Sequence, residues 1–216
     1  MSAVMNAEAP LAAPALTWLA LTPAGALQAF AQRQPDEAAR ALQALLGSRA
    51  TPTQADWLAA WPNAEALLAQ ALSEGWVECL PRRIEGPDAR LDDFVQHVIA
   101  SLSGERRALL ASETGFCLGH AGMSQDEAEV LSAAAADYSD FALRQARRGW
   151  SGAQRYVSFH GDAEMLLPAV SFVPLWVQGV GYWLILGGEP LLNNPSLVEL
   201  LWGIQEAGSR FVLGRR

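Results

Sequence analysis

The chain has 216 residues, of which 51% are hydrophobic and 18% are charged, and its formal net charge is −8. The hydrophobic content is enough to bury a core in one large or two small domains, whereas the acidic balance repels phosphates and argues against a nucleic acid partner. All fifteen basic residues are arginine, so this sequence has no Walker A loop, kinase-type phosphate lysine or Schiff-base lysine.

The first third of the chain predicts short alanine-rich helices followed by one strand. Capping residues stand at Asp36, Thr53 and Asn63, each before a run of alanine and leucine. Residues 76–80 are predicted to form the strand. This part resembles a winged-helix module through Leu21, Thr22 and Gly25, the leucine pair 45–46, and Leu72 with Gly75 before an apolar–Glu step. Because segment 63–74 contains no basic residue, DNA binding through it is not expected.

A polar, turn-rich stretch then separates two parts of the chain. Residues 82–88 contain two arginines, a glycine and a proline, a composition typical of a linker. We therefore predict a winged-helix-like helical module at residues 15–82, a linker at 83–90 and a second domain at 91–213.

The second part alternates between helical and strand periodicity in a clear order. It predicts a helix at 91–102, strands at 108–112 and 116–119, a long helix from 124 to about 148, strands at 155–160, 164–171 and 182–186, and a final helix at 196–211. Both the long and the final helix begin with a predicted capping box, Ser124 with Glu127 and Ser196 with Glu199.

The long helix has an unusually wide apolar face. Its apolar side chains, many of them alanine, cover an arc of roughly 160°, whereas a helix that covers one sheet needs only about 100°. Two interpretations follow: the helix has a second close neighbour, such as the same helix of another subunit, or it is sunk deeply into its own core.

The sequence offers little evidence for catalysis. His97, His120 and His160 have no spacing that would place two on one face, so no metal site is predicted. No nucleophile elbow or dinucleotide fingerprint is present, so we expect neither an enzyme nor a bound cofactor. Cys79 and Cys117 are predicted to be free thiols of a cytoplasmic protein, and no membrane span or signal peptide is expected.

The second part also resembles the Roadblock / dynein light chain family. The resemblance rests on the order of its elements together with three short motifs: Ala111-Ser112-Glu113-Thr114-Gly115, the step at residues 131–136, and the strand end at 184–188. It implies an α+β fold with a five-stranded antiparallel sheet, the long helix on one face and the two terminal helices on the other. It also implies a homodimer in which sheets join edge to edge and long helices lie side by side.

The same resemblance implies a function in binding. Bacterial members commonly bind Ras-like small GTPases as regulators or scaffolds in signalling or polarity systems, without binding nucleotide themselves. The candidate dimer or partner interface comprises Leu131, Ala134, Ala135, Tyr138, Phe141, Ala142 and Trp150. Two features depart from a minimal member, an apolar insert at 171–181 and the N-terminal module. The alternative is a ligand-sensing or protein-interaction module of a transcriptional or signalling complex.

Overall fold

The computed structural model describes residues 16–88, 91–150, 152 and 155–213, with the backbone alone at 91–94 and 208–213. In chain order the elements are β1 (Trp18–Leu21), α1 (Pro23–Ala29), α2 (Glu37–Gln43), α3 (Gln54–Ala60), α4 (Ala64–Ser73), β2 (Val77–Leu80), α5 (Leu91–Ala100), β3 (Ala108–Ser112), β4 (Cys117–Ala121), α6 (Gln125–Arg147), β5 (Val157–His160), β6 (Pro168–Val177), β7 (Val180–Gly187) and α7 (Ser196–Leu213). A short 3₁₀ turn, Ala44–Leu46, follows α2.

Side-chain caps fix the starts of the N-terminal helices. The Ala39 amide donates to Asp36 Oδ1 at 2.8 Å at the start of α2, and the Asp56 amide donates to Thr53 Oγ1 at 3.1 Å at the start of α3. These predicted caps are confirmed. Asn63 precedes α4 as expected but has a φ of 54° and makes no side-chain cap bond. The predicted strand at 76–80 is present as β2, which pairs antiparallel with β1.

The C-terminal part is built on a five-stranded antiparallel sheet with strand order β4-β3-β7-β6-β5. Side chains alternate between its faces, as the pleat requires. Leu109 and Ala111 of β3 lie in a buried cluster with Ala135 of α6, whereas Leu110 lies in a second cluster with Ile99 of α5 and residues of α7. The predicted α+β fold with a five-stranded antiparallel sheet is therefore confirmed.

The long helix begins where the sequence placed it. The Glu127 amide donates to Ser124 Oγ at 3.2 Å, and α6 continues for 23 residues. The Glu127 carboxylate forms an ion pair with Arg107, the residue immediately before β3. The first half of the predicted capping box thus sets the helix start, while the carboxylate ties the helix to the sheet.

The predicted boundaries of the sixth strand were wrong. Instead of ending at residue 171 before an insert, β6 extends to Val177 and turns into β7 through Gln178 and Gly179, whose φ angles are 52° and 79°. Pro174 appeared to interrupt the strand, because proline cannot donate to a sheet ladder. It lies beyond the last residue of β6 that pairs with β5, Phe172, so its missing N–H removes no ladder bond on that side.

The second predicted capping box was also wrong. The Ser196 amide donates to Asn194 Oδ1 at 3.0 Å, and the Glu199 amide donates to the Pro195 carbonyl at 3.2 Å. The Asn194 side chain therefore caps the start of α7, and Pro195 immediately precedes the helix, where its fixed φ is favourable. Ser196 lies inside the helix rather than before it.

The N-terminal elements and the sheet share one core. Phe30 and Leu45 lie in the same buried cluster as Leu184 and Leu200. Backbone and side-chain bonds join the same two parts: the Trp176 amide donates to the Phe30 carbonyl at 3.0 Å. The two parts are consequently packed as neighbours rather than separated along a free tether.

The described part of the predicted linker pairs with the N-terminal elements. The Thr51 amide donates to the Ile84 carbonyl at 2.9 Å, and the Gly86 amide donates to the Arg49 carbonyl at 2.8 Å. An isolated bridge joins Ala50 to Glu85 between these two bonds. Residues 84–86 are therefore held against residues 49–51.

Candidate interaction surface

One face of the sheet is covered by α6, and β5 forms the edge of the sheet next to it. The buried cluster beneath α6 contains Phe172, Trp183 and Ile185 of the sheet. As an edge strand, β5 presents backbone groups that β6 does not use. This corner of the molecule combines an open strand edge with the exposed flank of a long helix.

The residues predicted for an interface divide into three groups. Ala135 is fully buried and Ala142 is 6% exposed, so both serve the contact between α6 and the sheet. Leu131, Ala134 and Tyr138 are half-buried and pack against the same cluster. Phe141 and Trp150 are 40% and 55% exposed and are the two exposed members of the predicted set.

Aromatic rings connect the buried cluster to this surface. Tyr138 packs edge-on against Phe172 with ring centroids 4.9 Å apart and stacks on Phe159 at 5.9 Å. Phe141 and Trp150 form a separate edge-to-face pair at 6.4 Å. Such geometries are favourable beyond the area that they bury, so the exposed rings are held in defined positions.

Sequence reasoning left several exposed apolar residues out of the interface. Val130 lies on the helix flank and is 69% exposed, and Tyr156 and Phe159 on and beside β5 are also exposed. Three consecutive exposed residues, Met165, Leu166 and Leu167, follow in the β5–β6 loop. An apolar run within a loop was the signal that could have found this last group. We use "α6–β5 patch" for Val130, Phe141, Trp150, Tyr156 and Phe159.

A recess of about 450 Å³ opens within the α6–β5 patch. Its lining combines four aromatic rings with charged groups: Asp137, Tyr138, Phe141, Arg144, Trp150, Gly152, Arg155, Tyr156 and Val157. Partial burial and the nearby Asp137 carboxylate raise the pKa of Tyr138 above its usual value, since both disfavour the phenolate. Tyr138 therefore contributes a neutral phenol to the recess at neutral pH.

One of the three histidines makes a contact between two elements of the fold. His120 Nε2 lies 3.0 Å from Gln125 Oε1, a contact that links β4 to the first turn of α6. Among the described residues, no group of histidine, cysteine and carboxylate side chains is arranged to hold a metal ion. Within the same residues, no helix has both the length and the apolar character needed to cross a bilayer.

The fold and this surface define an α+β protein whose five-stranded antiparallel sheet carries an exposed apolar patch at one corner. Comparisons with protein-family models, curated proteins and solved structures find no match.

Proposed function

We propose that this protein is a non-enzymatic, dimeric regulator or scaffold that binds a Ras-like small GTPase in a signalling or polarity system. The α6–β5 patch is the observation on which the proposal depends. Large apolar side chains clustered on one surface usually mark a binding site for another macromolecule. The winged-helix-like N-terminal module would be a further docking element.

The patch suits contact between two copies of the chain. Around a two-fold axis, the same patch on both subunits must be self-complementary. Edge strand β5 can pair with itself in antiparallel fashion, which would place the flanks of two α6 helices side by side. Phe141 and Trp150 would then be aromatic anchors of the kind that dominate interface energies.

The proposal of a GTPase as the partner depends on the resemblance to the Roadblock / dynein light chain family in residues 111–115, 131–136 and 184–188. The observed sheet, with α6 on one face and α5 and α7 on the other, agrees with what that resemblance implies. A regulator of this kind acts by differential affinity, because a binder shifts an equilibrium only toward the state that it binds more tightly. The preferred nucleotide state is therefore the property to measure.

Dimerisation can be tested with a matched pair of variants. Phe141→Arg places a charge in the patch, whereas Phe116→Arg places the same charge at a more exposed phenylalanine between β3 and β4. Light scattering after size exclusion should give twice the chain mass for the wild type and Phe116→Arg, and the monomer mass for Phe141→Arg. A monomeric wild type, or a dimeric Phe141→Arg that remains folded by circular dichroism, would contradict the proposed interface.

The partner can be tested with the same proteins as bait. Lysate of the source organism is passed over immobilised wild type in GDP or in a non-hydrolysable GTP analogue, and bound proteins are identified by mass spectrometry. We expect one small GTPase that prefers one nucleotide and that Phe116→Arg also retains. If the wild type is a dimer but recovers no GTPase in either nucleotide, the proposed dimer would be retained and the proposed GTPase partner would be rejected.

The aromatic recess favours a second candidate, a ligand-sensing module of a signalling or transcriptional complex. Four rings beside Arg144 and Arg155 could hold an aromatic anion through stacking and charge-assisted hydrogen bonds. Native mass spectrometry of the protein from its own host should then detect a bound small molecule. Loss of this molecule in Arg155→Gln, with retention in Arg106→Gln outside the recess, would favour the sensor.

A further inference from the structure

A second concave surface lies between the N-terminal elements and the start of α7. It encloses about 510 Å³ and is lined by β1 and the turn into α1, by residues 84–87, and by α7 with the segment before it. We call it the inter-unit groove. This volume lies within the range of sites that hold small molecules or short peptide segments.

The floor of the groove is apolar and already fixed. Leu21, Leu46 and Trp202 line it and are buried, while the half-buried Val198 extends the floor along α7. The Trp202 indole donates to the Ser48 carbonyl at 2.8 Å. A Cβ added at Gly86 would approach this ring to 2.6 Å, so the glycine allows the indole to lie flat against the 84–87 wall.

Both walls of the groove are held by hydrogen bonds. One wall is the 84–86 segment already described, which pairs with residues 49–51. The other wall begins at β1, where the Thr22 amide donates to the Trp76 carbonyl at 3.0 Å and the Thr22 hydroxyl donates to the Gly75 carbonyl at 2.6 Å. A pre-formed site of this kind loses little entropy when a ligand binds.

The charged side chains that the described residues contribute to the groove lining are all acidic. Glu78, Glu85 and Glu199 line it and are exposed, and no arginine is among its described lining residues. Within the described parts of the chain, none of the three belongs to an ion pair. Arg49 and Arg83 line an adjoining polar recess that shares Glu85, Gly86 and Pro87 with the groove. The groove therefore combines an apolar floor with a rim of three carboxylates.

We propose that the inter-unit groove binds a short segment of a partner protein in which apolar and basic side chains alternate. In an extended segment, alternate side chains point in opposite directions, so one set can reach the floor while the other reaches the rim. Arginine suits the rim because its planar head forms paired hydrogen bonds to carboxylates. This proposal does not depend on the GTPase or on the dimer, because the groove shares no residue with the α6–β5 patch.

The probe is a fluorescein-labelled hexapeptide of alternating leucine and arginine, measured by fluorescence anisotropy against the full chain at 0.15 M salt. Two further peptides replace leucine by serine or arginine by glutamate. The groove variant is Glu78→Gln, Glu85→Gln and Glu199→Gln combined. The matched control combines Glu37→Gln, Glu65→Gln and Glu74→Gln, exposed residues outside the groove lining, so both variants carry the same net charge.

We expect the leucine–arginine peptide to bind the wild type and the control within twofold, and the groove variant at least tenfold more weakly. The other two peptides should bind the wild type at least tenfold more weakly than the leucine–arginine peptide. Amide shift changes in a ¹⁵N spectrum should cluster at groove residues such as Thr22 and Val198. Equal weakening in both triple variants would show attraction to overall charge only and overturn the proposal.

Three other outcomes would also overturn it. If the leucine–arginine peptide shows no measurable binding, the groove does not bind the proposed segment. If the serine–arginine peptide binds as tightly as the leucine–arginine peptide, the apolar floor does not contribute to binding. If the leucine–glutamate peptide binds as tightly as the leucine–arginine peptide, the three carboxylates do not contribute to binding. Circular dichroism checks that both triple variants are folded, and Val198→Arg offers a single change in the floor that should weaken binding of the same peptide at least fivefold.

Discussion

Gly25 is the point of closest approach between helix α1 and the segment before β2. A Cβ at this position would lie 2.8 Å from Leu21 Cδ1 and 2.8 Å from the Trp76 carbonyl carbon, and closer still to the Trp76 carbonyl oxygen. Real contacts of this kind are ordinarily 3.4–4 Å. In a close-packed interior, Gly25→Ala therefore forces α1 and residue 76 apart by at least about 0.6 Å.

Two terms of opposite sign determine the effect of Gly25→Ala on stability. Overpacking costs about 1–3 kcal/mol, and the hydrogen bond from the Thr22 amide to the Trp76 carbonyl would weaken by up to about 1 kcal/mol. Helix propensity favours alanine over glycine by about 1 kcal/mol. These terms sum to a net loss of up to about 3 kcal/mol in the free energy of unfolding, centred near about 1.5 kcal/mol. The melting temperature should fall by roughly 3–6 °C at that central value.

Urea unfolding followed by tryptophan fluorescence measures this difference. Gly161→Ala is the matched control, because a Cβ there meets nothing within 4 Å, and it should change stability by less than about 0.5 kcal/mol. If Gly25→Ala is as stable as the wild type or more stable, helix propensity outweighs the close approach. The packing argument for α1 and β2 would then be refuted.

Three further outcomes follow from buried polar groups. Ser132→Ala should raise the free energy of unfolding by about 1 kcal/mol, because the buried hydroxyl has no partner within the described residues. Ser171→Ala breaks a 2.8 Å bond between two hydroxyls and should lower the free energy of unfolding by a similar amount. Urea unfolding of both variants measures the two opposite effects. Trp202→Phe should lower the free energy of unfolding by about 1–2 kcal/mol in the same assay, since it removes the indole hydrogen bond to the N-terminal part. A variant as stable as the wild type would show that this hydrogen bond does not stabilise the fold. Burial raises the pKa of Tyr182. Above the ordinary tyrosine pKa of about 10, the folded chain therefore keeps a proton that the unfolded chain loses. The free energy of unfolding should consequently fall as the pH rises above about 10. Tyr182→Phe should reduce this decline in unfolding curves measured across that range. Tyr138, whose pKa is also raised, contributes in the same direction, so part of the decline should remain; lysine contributes nothing, because the chain has none.

The sequence predicted element order well because local chemistry determines it. Asp36, Thr53 and Ser124 each have a side chain that accepts a bond from a backbone amide at a helix start, and this needs no knowledge of the rest of the fold. The wrong predictions concern positions whose structure depends on residues elsewhere in the fold. Whether Pro174 breaks a strand depends on how far the neighbouring strand extends, and that information lies in β5 rather than in β6.

The candidate surface was predictable only in part. The wide apolar arc of the long helix left two interpretations open, a second neighbour or a helix sunk deeply into its own core. Periodicity cannot say which residues of the arc face which surface. In the structure, Ala135 and Ala142 face the sheet of the same chain, while Val130 and Phe141 face outward. The inter-unit groove could not be predicted at all, because Glu199 follows Glu78 and Glu85 by more than a hundred residues and joins them only through the fold.

The shared core also constrains the order in which the chain can fold. Helix α7 contributes Leu197, Leu200, Leu201 and Ile204 to the cluster that contains the leucines of the N-terminal elements, yet it follows those elements by more than a hundred residues. Domains usually fold one after another as the ribosome releases them. Here the first part cannot bury the apolar surface that it shares with α7 until α7 has been made. We therefore expect a late, cooperative folding event, with a nascent chain that exposes this surface to chaperones until α7 emerges.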